Sequence, residues 1–298
     1  MKKLLPLLLL ILIGCSSPEP TNYQMLVQRD GVFYLKDTNH IFSGPVFNIV
    51  GTSSGNIKNG KWNGEFEFYY SNGQLNGIGS YKNGDGSNSG KNTGIPKSGR
   101  EGLWKFYNEN GQLIFEGTYK NGKLDGPSKN YYENGQLESE IPYMNGLING
   151  LLKIYYENGQ LESEATFKNN ILDGTFKQYF ENGQLEFEDN YKNGELDGKS
   201  KVYFENGQLQ FEDTYKNGEL DGSSKDYYEN GQLWFENTYK NGKLDGPEKW
   251  YYENGQLESE YTYKNGELDG PSKDYYENGQ LSFEGTYKNG ELIDFKVY

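Results

Sequence analysis

The sequence predicts an all-β protein, an elongated antiparallel β-hairpin solenoid: a single twisted meander sheet of 24-residue repeats. Three observations carry this prediction. The string Asn-Gly-Gln-Leu begins at residues 72, 110, 134, 158, 182, 206, 230, 254 and 278, at a constant 24-residue interval from 110 onward. Alternating runs rich in Tyr and Phe flank each copy, and both residues favour strands. The 298 residues include 40 Gly and 27 Tyr but a single Ala, Ala165, a poor composition for helices.

The elements follow in order. Residues 1–14 read as a signal peptide: Lys2 and Lys3 precede an apolar run from Leu4 to Ile13. That run is shorter than the roughly 20 residues a membrane-spanning helix needs. Its end, Leu12-Ile13-Gly14-Cys15, resembles the bacterial lipoprotein processing box, which implies cleavage before Cys15 and lipid attachment there. Loss of the leader takes the side-chain charge from −14 to −16. Residues 15–22 form a lipidated Ser/Pro tether, and Ser16 after the Cys points to the outer membrane where two membranes exist.

Residues 23–63 form an N-terminal cap with a degenerate repeat, and residues 64–293 form the array proper. The first array unit carries an insertion loop at 85–101, flanked by Trp62 and Trp104. Its Gly/Ser/Asn composition suits a neutral, flexible insertion, while loops on repeat scaffolds also carry function. Residues 294–298 form a C-terminal capping strand, where Asp294 and Lys296 discourage pairing with other edges.

The unit at 198–221 illustrates the repeat. Asn206-Gly207 predicts a two-residue type I′ turn, because both central positions of that turn need positive φ. Such a turn sets Phe204 opposite Leu209, Tyr203 opposite Gln210, Val202 opposite Phe211 and Lys201 opposite Glu212. Opposed residues share a face. One face then holds Val202, Phe204, Leu209, Phe211 and Tyr215, and the other Lys201, Tyr203, Glu205, Gln208, Glu212 and Thr214. The Lys–Glu pair recurs as Lys129–Glu140, Lys153–Glu164, Lys177–Glu188, Lys225–Glu236, Lys249–Glu260 and Lys273–Glu284. A parallel β-helix coil is the alternative, but it has no use for a reversing turn in mid-unit.

Composition also excludes functions. The formal charge of −14 argues against nucleic acid as a partner, because binding phosphates needs clustered Lys and Arg. One Cys and one His leave no disulfide framework and no His- or Cys-based metal site. Carboxylates abound, but they repeat with the unit and mark no unique place, so no catalytic residue, metal or cofactor is expected and the chain does not read as an enzyme. The turns Asn-Gly-Glu-Leu-Asp-Gly at 193–198, 217–222 and 265–270 match no calcium-loop pattern.

The unit G-x-x-K-x-Y-Y-E-N-G-Q-L-x-x-E-x-x-Y-K-N-G, plain in Tyr131-Tyr132-Glu133-Asn134-Gly135-Gln136-Leu137 with Tyr143, Asn145 and Gly146, resembles the bacterial MORN-repeat variant. The resemblance implies a sheet of consecutive hairpins. Bacterial members are often labelled antitoxins of toxin–antitoxin systems, and MORN repeats are linked to membrane lipids and protein scaffolding. The acidic units here depart from the lipid-binding picture, since anionic headgroups repel them. Membrane attachment is therefore expected through Cys15 alone.

Candidate binding residues are aromatic. Tyr131, Tyr155, Tyr179, Tyr203, Tyr227, Tyr251 and Tyr275 form a ladder on the more polar face, read either as ring packing between hairpins or as a surface for a partner. Trp104, Trp234 and Trp250 depart from the repeat, and simple alternation puts Trp234 and Trp250 on opposite faces. The expected function is an envelope-anchored, non-catalytic scaffold that binds another protein. Toxin neutralisation and cell-wall carbohydrate binding are the alternatives.

Overall fold

The computed structural model describes residues 18–48, 53–90 and 94–298. The signal segment, Cys15 and part of the tether and insertion therefore lie outside the described residues. The chain divides into two compact units, one running to Gly111 and one from Gln112 to Tyr298. In each, the repeats form an antiparallel meander not closed into a barrel.

The first unit has a covered core. Its meander runs through Gly44–Phe47, Ser54–Lys58, Lys61–Tyr69, Leu75–Gly84 and Arg100–Tyr107, with Thr21–Asn22 added in parallel to Gly44–Phe47. A separate hairpin pairs Leu26–Arg29 with Val32–Leu35. One face collects Trp62, Phe66, Phe68, Tyr81, Trp104 and Phe106, all nearly inaccessible. Their rings stack and meet edge-on, with Trp62–Phe66 centroids 4.8 Å and Tyr81–Trp104 centroids 4.9 Å apart. Burying such a side chain contributes about 1.5–3 kcal/mol. The rings fit because glycines lie beneath them: a Cβ on Gly79 would come within 2.2 Å of the Trp104 ring, and one on Gly55 within 2.2 Å of Phe66.

The insertion is packed down over this core. Ile95 is 2% exposed, Tyr81 Oη donates to Pro96 O at 2.6 Å, and Arg100 donates from Nε to Pro96 O and from Nη2 to Ile95 O. The Arg100 guanidinium lies 4.7 Å from the Trp104 ring and 4.8 Å from Phe106. The described part of the insertion is thus an ordered cover, not the slack loop its composition suggests.

The second unit is a single-layer meander from Leu113–Lys120 to Glu291–Val297. Its buried residues are small, Gly117, Ser128, Ser139, Ser163, Ala165, Ser200, Asn237, Ser259, Ser272 and Gly285. Contacts between neighbouring strands replace a core, as in other repeat arrays. All consecutive pairings are antiparallel, which excludes the β-helix coil.

The turns differ from the sequence reading. At 204–208, Gly207 N donates to Phe204 O and Phe204 N to Gln208 O, so the loop is Glu205-Asn206-Gly207. Only Gly207 has positive φ, at 84°. This is a type I turn closed by a glycine bulge. Asn206 serves through its side chain instead, its Oδ1 accepting from Gln208 N at 2.9 Å. The extra loop residue sets Tyr203, not Phe204, opposite Leu209, and Gln210 is left unpaired as a bulge. The two displacements cancel, so Val202–Phe211 and Lys201–Glu212 pair as the sequence predicts. The two-residue type I′ turn lies at the other Asn-Gly: Asn217 and Gly218 have φ of 49° and 82°, between the pairs Lys216–Glu219 and Tyr215–Leu220.

Cross-unit hydrogen bonds lock each hairpin to the next. Gly218 N donates to Leu196 O and Asn217 N to Asp197, so the Asp of each Asn-Gly-Glu-Leu-Asp-Gly turn caps the following turn. Tyr132, Tyr156, Tyr228 and Tyr252 donate their hydroxyls to the carbonyls of Tyr155, Tyr179, Tyr251 and Tyr275.

Candidate functional site: the two faces of the repeat sheet

On one face of residues 112–298, Lys and Glu alternate from strand to strand without interruption. Glu116, Lys129, Glu140, Lys153, Glu164, Lys177, Glu188 and Lys201 are successive cross-strand neighbours, and the row continues through Glu212 and Lys225 to Glu284 and Lys296. The sequence supplies only every second link, the one within each hairpin. Ion-pair distances include 3.6 Å for Lys177–Glu188, 3.3 Å for Lys201–Glu212 and 3.8 Å for Lys249–Glu236. Each such pair contributes about 0.2–1 kcal/mol. Burial acts to raise the Glu212 carboxyl, but hydrogen bonds from Lys199 and Lys201 outweigh it and hold the carboxyl below the ordinary range.

The predicted Tyr ladder belongs to this face. Tyr131, Tyr179 and Tyr251 donate to Glu116, Glu164 and Glu236 of the preceding hairpin. Burial, then the Glu hydrogen bond, pushes Tyr131 and Tyr251 up to about 12. Tyr203 and Tyr227 occupy the same repeat position, half-buried, and Tyr155 and Tyr275 complete the row. The ladder is therefore tied into the charge row.

The opposite face has another composition. One row runs Phe187, Val202, Phe211, Asp226, Phe235, Trp250, Ser259, Asp274, Phe283, and beside it lie Asp189, Ser200, Asp213, Ser224 and Asn237, followed by Glu248 and Tyr261. Neither row holds a Lys or Arg. Burial, then the neighbouring Asp213, raises the Asp226 carboxyl above its ordinary value. Burial, then a hydrogen bond donated to Asp274 at 2.8 Å, raises the Tyr261 phenol.

The tryptophans depart from simple alternation. Trp234 and Trp250 lie together, ring centroids 5.6 Å apart and edge-on, with Phe235 4.0 Å from Trp250 and Tyr228 6.0 Å from Trp234. Trp234 occupies the bulge position, unpaired between Leu233–Tyr227 and Phe235–Asp226, and a bulge re-aims its side chain. Trp234 is 39% exposed, while Trp104 is fully buried in the first unit's core. Trp250 Nε1 donates to Glu248 Oε1 at 3.1 Å. Sequence reasoning missed Tyr228, Phe235, Asp226 and Glu248 as members of this cluster. The unpaired residue after each Asn-Gly-Gln-Leu was the signal that could have found them.

The sheet is a hairpin-repeat scaffold with one charge-balanced face and one acidic, aromatic face. Nine matches to the family model described as MORN repeat variant cover residues 62–83, 100–121, 124–145, 148–169, 172–193, 196–217, 220–241, 244–265 and 268–289. The chain belongs to the MORN-repeat variant family. Comparison with curated proteins finds no match. Among solved structures, the Tc holotoxin pore of Photorhabdus luminescens overlaps 84% of this chain and 14% of its own, at 13% identity and a TM-score of 0.21. The TcdB2-TccC3 structure overlaps 89% and 18%, at 11% identity and 0.19. A porin-like protein from Bacteroides uniformis overlaps 84% and 93%, at 9% identity and 0.14. The chain thus spans less than a fifth of the toxin chains it overlaps, and at these TM-scores the overlaps carry no argument about function.

Proposed function

We propose that the chain is an envelope lipoprotein, anchored through Cys15, whose repeat array is a non-catalytic scaffold for a protein partner. The observation that carries this reading is the contrast between the two faces of residues 112–298. One face satisfies its own charges strand by strand. The other leaves aromatic rings half-exposed, the side chains enriched at protein interfaces, beside carboxylates that no cation in their rows balances. The Tyr ladder, bonded to carboxylates, offers less to a sugar than free rings would, so protein is favoured over carbohydrate.

The test has two arms. Mass spectrometry and fractionation of a Cys15→Ser variant should show loss of acylation and release from membranes; unchanged attachment would refute the anchor. Crosslinking in native envelopes should capture a discrete protein on the wild type. If that protein is a toxin, the scaffold is an immunity factor; if nothing is captured, the partner reading fails.

A further inference from the structure

We infer that the acidic, aromatic face around Trp234 and Trp250 binds an extended, arginine-bearing segment of a partner protein. The inference rests on the scaffold reading above and adds the face, the residues and the chemistry.

The first unit displays the mode of binding in its own chain. There the same face of the same repeat is covered by residues 94–99, and Arg100, the first residue of the strand that carries Trp104 and Phe106, lays its guanidinium over both rings at 4.7 and 4.8 Å while donating to two carbonyls of the cover. Leu244 stands at this repeat position in the second unit, so the chain supplies no guanidinium there. In the repeat, Trp250 occupies the position of Phe106 and Glu248 that of Trp104. The second unit thus presents an indole where Arg100 finds an aromatic ring, and a carboxylate beside it. Phe235 and Trp234 extend the ring surface to the next hairpin, with Trp234 the most exposed member.

Charge complementarity selects the occupant. Asp226, paired with Phe235, and Glu248 flank the rings, and no cation shares these rows. A guanidinium is planar, stacks on indole and bonds a carboxylate through two N–H groups, so it matches this pairing better than an ammonium does. Burial first and the neighbouring Asp213 second raise the Asp226 carboxyl, consistent with an acid on a face whose rows hold no cation.

The probe is a dye-labelled peptide of two tandem copies of Gly-Ile-Pro-Lys-Ser-Gly-Arg, the sequence of residues 94–100, titrated into the full chain by fluorescence anisotropy. Saturable binding is expected, weakened about tenfold by Trp234→Ala, by Glu248→Gln and by citrulline in place of each Arg. Glu188→Gln and Glu260→Gln remove the same charge from the other face and should change affinity less than about twofold, the scale of a screened rim charge. Trp234 is exposed enough for its variant to fold, and Glu248→Gln is a second, isosteric check. Absence of saturable binding, equal binding of the citrulline peptide, or equal weakening by the ladder-face variants would overturn the inference. So would a Trp234-dependent cell-wall glycan in place of the peptide. An envelope protein whose capture survives Trp234→Ala overturns this site and leaves the scaffold reading standing. Peptide binding without any captured protein supports the site and overturns the scaffold reading.

Discussion

Trp234 and Trp250, sixteen residues apart and on opposite faces by simple alternation, meet edge-on with ring centroids 5.6 Å apart. Their contact depends on the bulge that follows the Glu229-Asn230-Gly231 loop. A double-mutant cycle with Trp234→Ala and Trp250→Ala should report a coupling of about 0.5–1.5 kcal/mol, the usual scale for aromatic pairs. Chemical denaturation measures it, and a coupling of zero would mean that the rings do not pack.

At two positions of the clasp between hairpins, Phe180 and Phe204 stand in place of the hydroxyl-bearing Tyr. Tyr156 donates to Tyr179 O at 2.7 Å, so Phe180→Tyr and Phe204→Tyr should reach the carbonyls of Tyr203 and Tyr227 in the same way. Each should raise stability by about 0.5–1.5 kcal/mol, and Tyr156→Phe should lower it by a similar amount. Thermal melts of the three variants decide.

The two kinds of Asn-Gly turn should answer differently to the same change. Asn217 needs positive φ and Asn206 needs its side-chain acceptor. Asn217→Gly should therefore be nearly neutral, whereas Asn206→Gly should cost about 1 kcal/mol for the lost hydrogen bond. Asn217→Ala should cost about 1 kcal/mol, because Asn populates the left-handed region several-fold more readily than Ala does. Urea titration of each variant gives the comparison.

Asp226 has a carboxyl pKa raised in the folded state, by burial first and by Asp213 second. Its contribution is fully present below the unfolded value, where the acid is neutral in both states, and is lost as pH rises through the folded value. Asp226→Asn should thus stabilise the protein at pH 7, with the gain shrinking as pH falls toward the ordinary aspartate value of 3.8. An Asn variant whose advantage does not change with pH would contradict this.

Arg100 holds the insertion by two carbonyl hydrogen bonds and two ring contacts. Arg100→Ala should loosen residues 94–99 and make the segment a preferred site of limited proteolysis, while wild type resists cleavage there. Equal digestion patterns would argue that Ile95 and the Tyr81–Pro96 hydrogen bond anchor it without Arg100.

The repeat period and the Lys–Glu pairing were legible because they depend on spacing and on period-two alternation. Lys201–Glu212 pairs as read even though the turn beside it was misassigned, since the added loop residue and the bulge at Gln210 offset each other. The position of Trp234 was not legible by the same rule, because alternation fails at a bulge. The burial of Trp104 was hidden for a different reason. It depends on Ile95 and Arg100 of the insertion, whose Gly- and Ser-rich flanks gave no sign of a packed cover.

The alternating charge row also constrains how the array can change in length. Glu212 lies between Lys201 on one strand and Lys225 on the other. Deleting a single strand would bring like charges face to face, whereas deleting a whole hairpin restores Lys against Glu at the new junction. The row acts as a parity check on the chain, tolerating the gain or loss of complete 24-residue copies and opposing any odd number of strands. Recombination between neighbouring repeats can therefore lengthen or shorten the sheet while every surviving unit keeps its register.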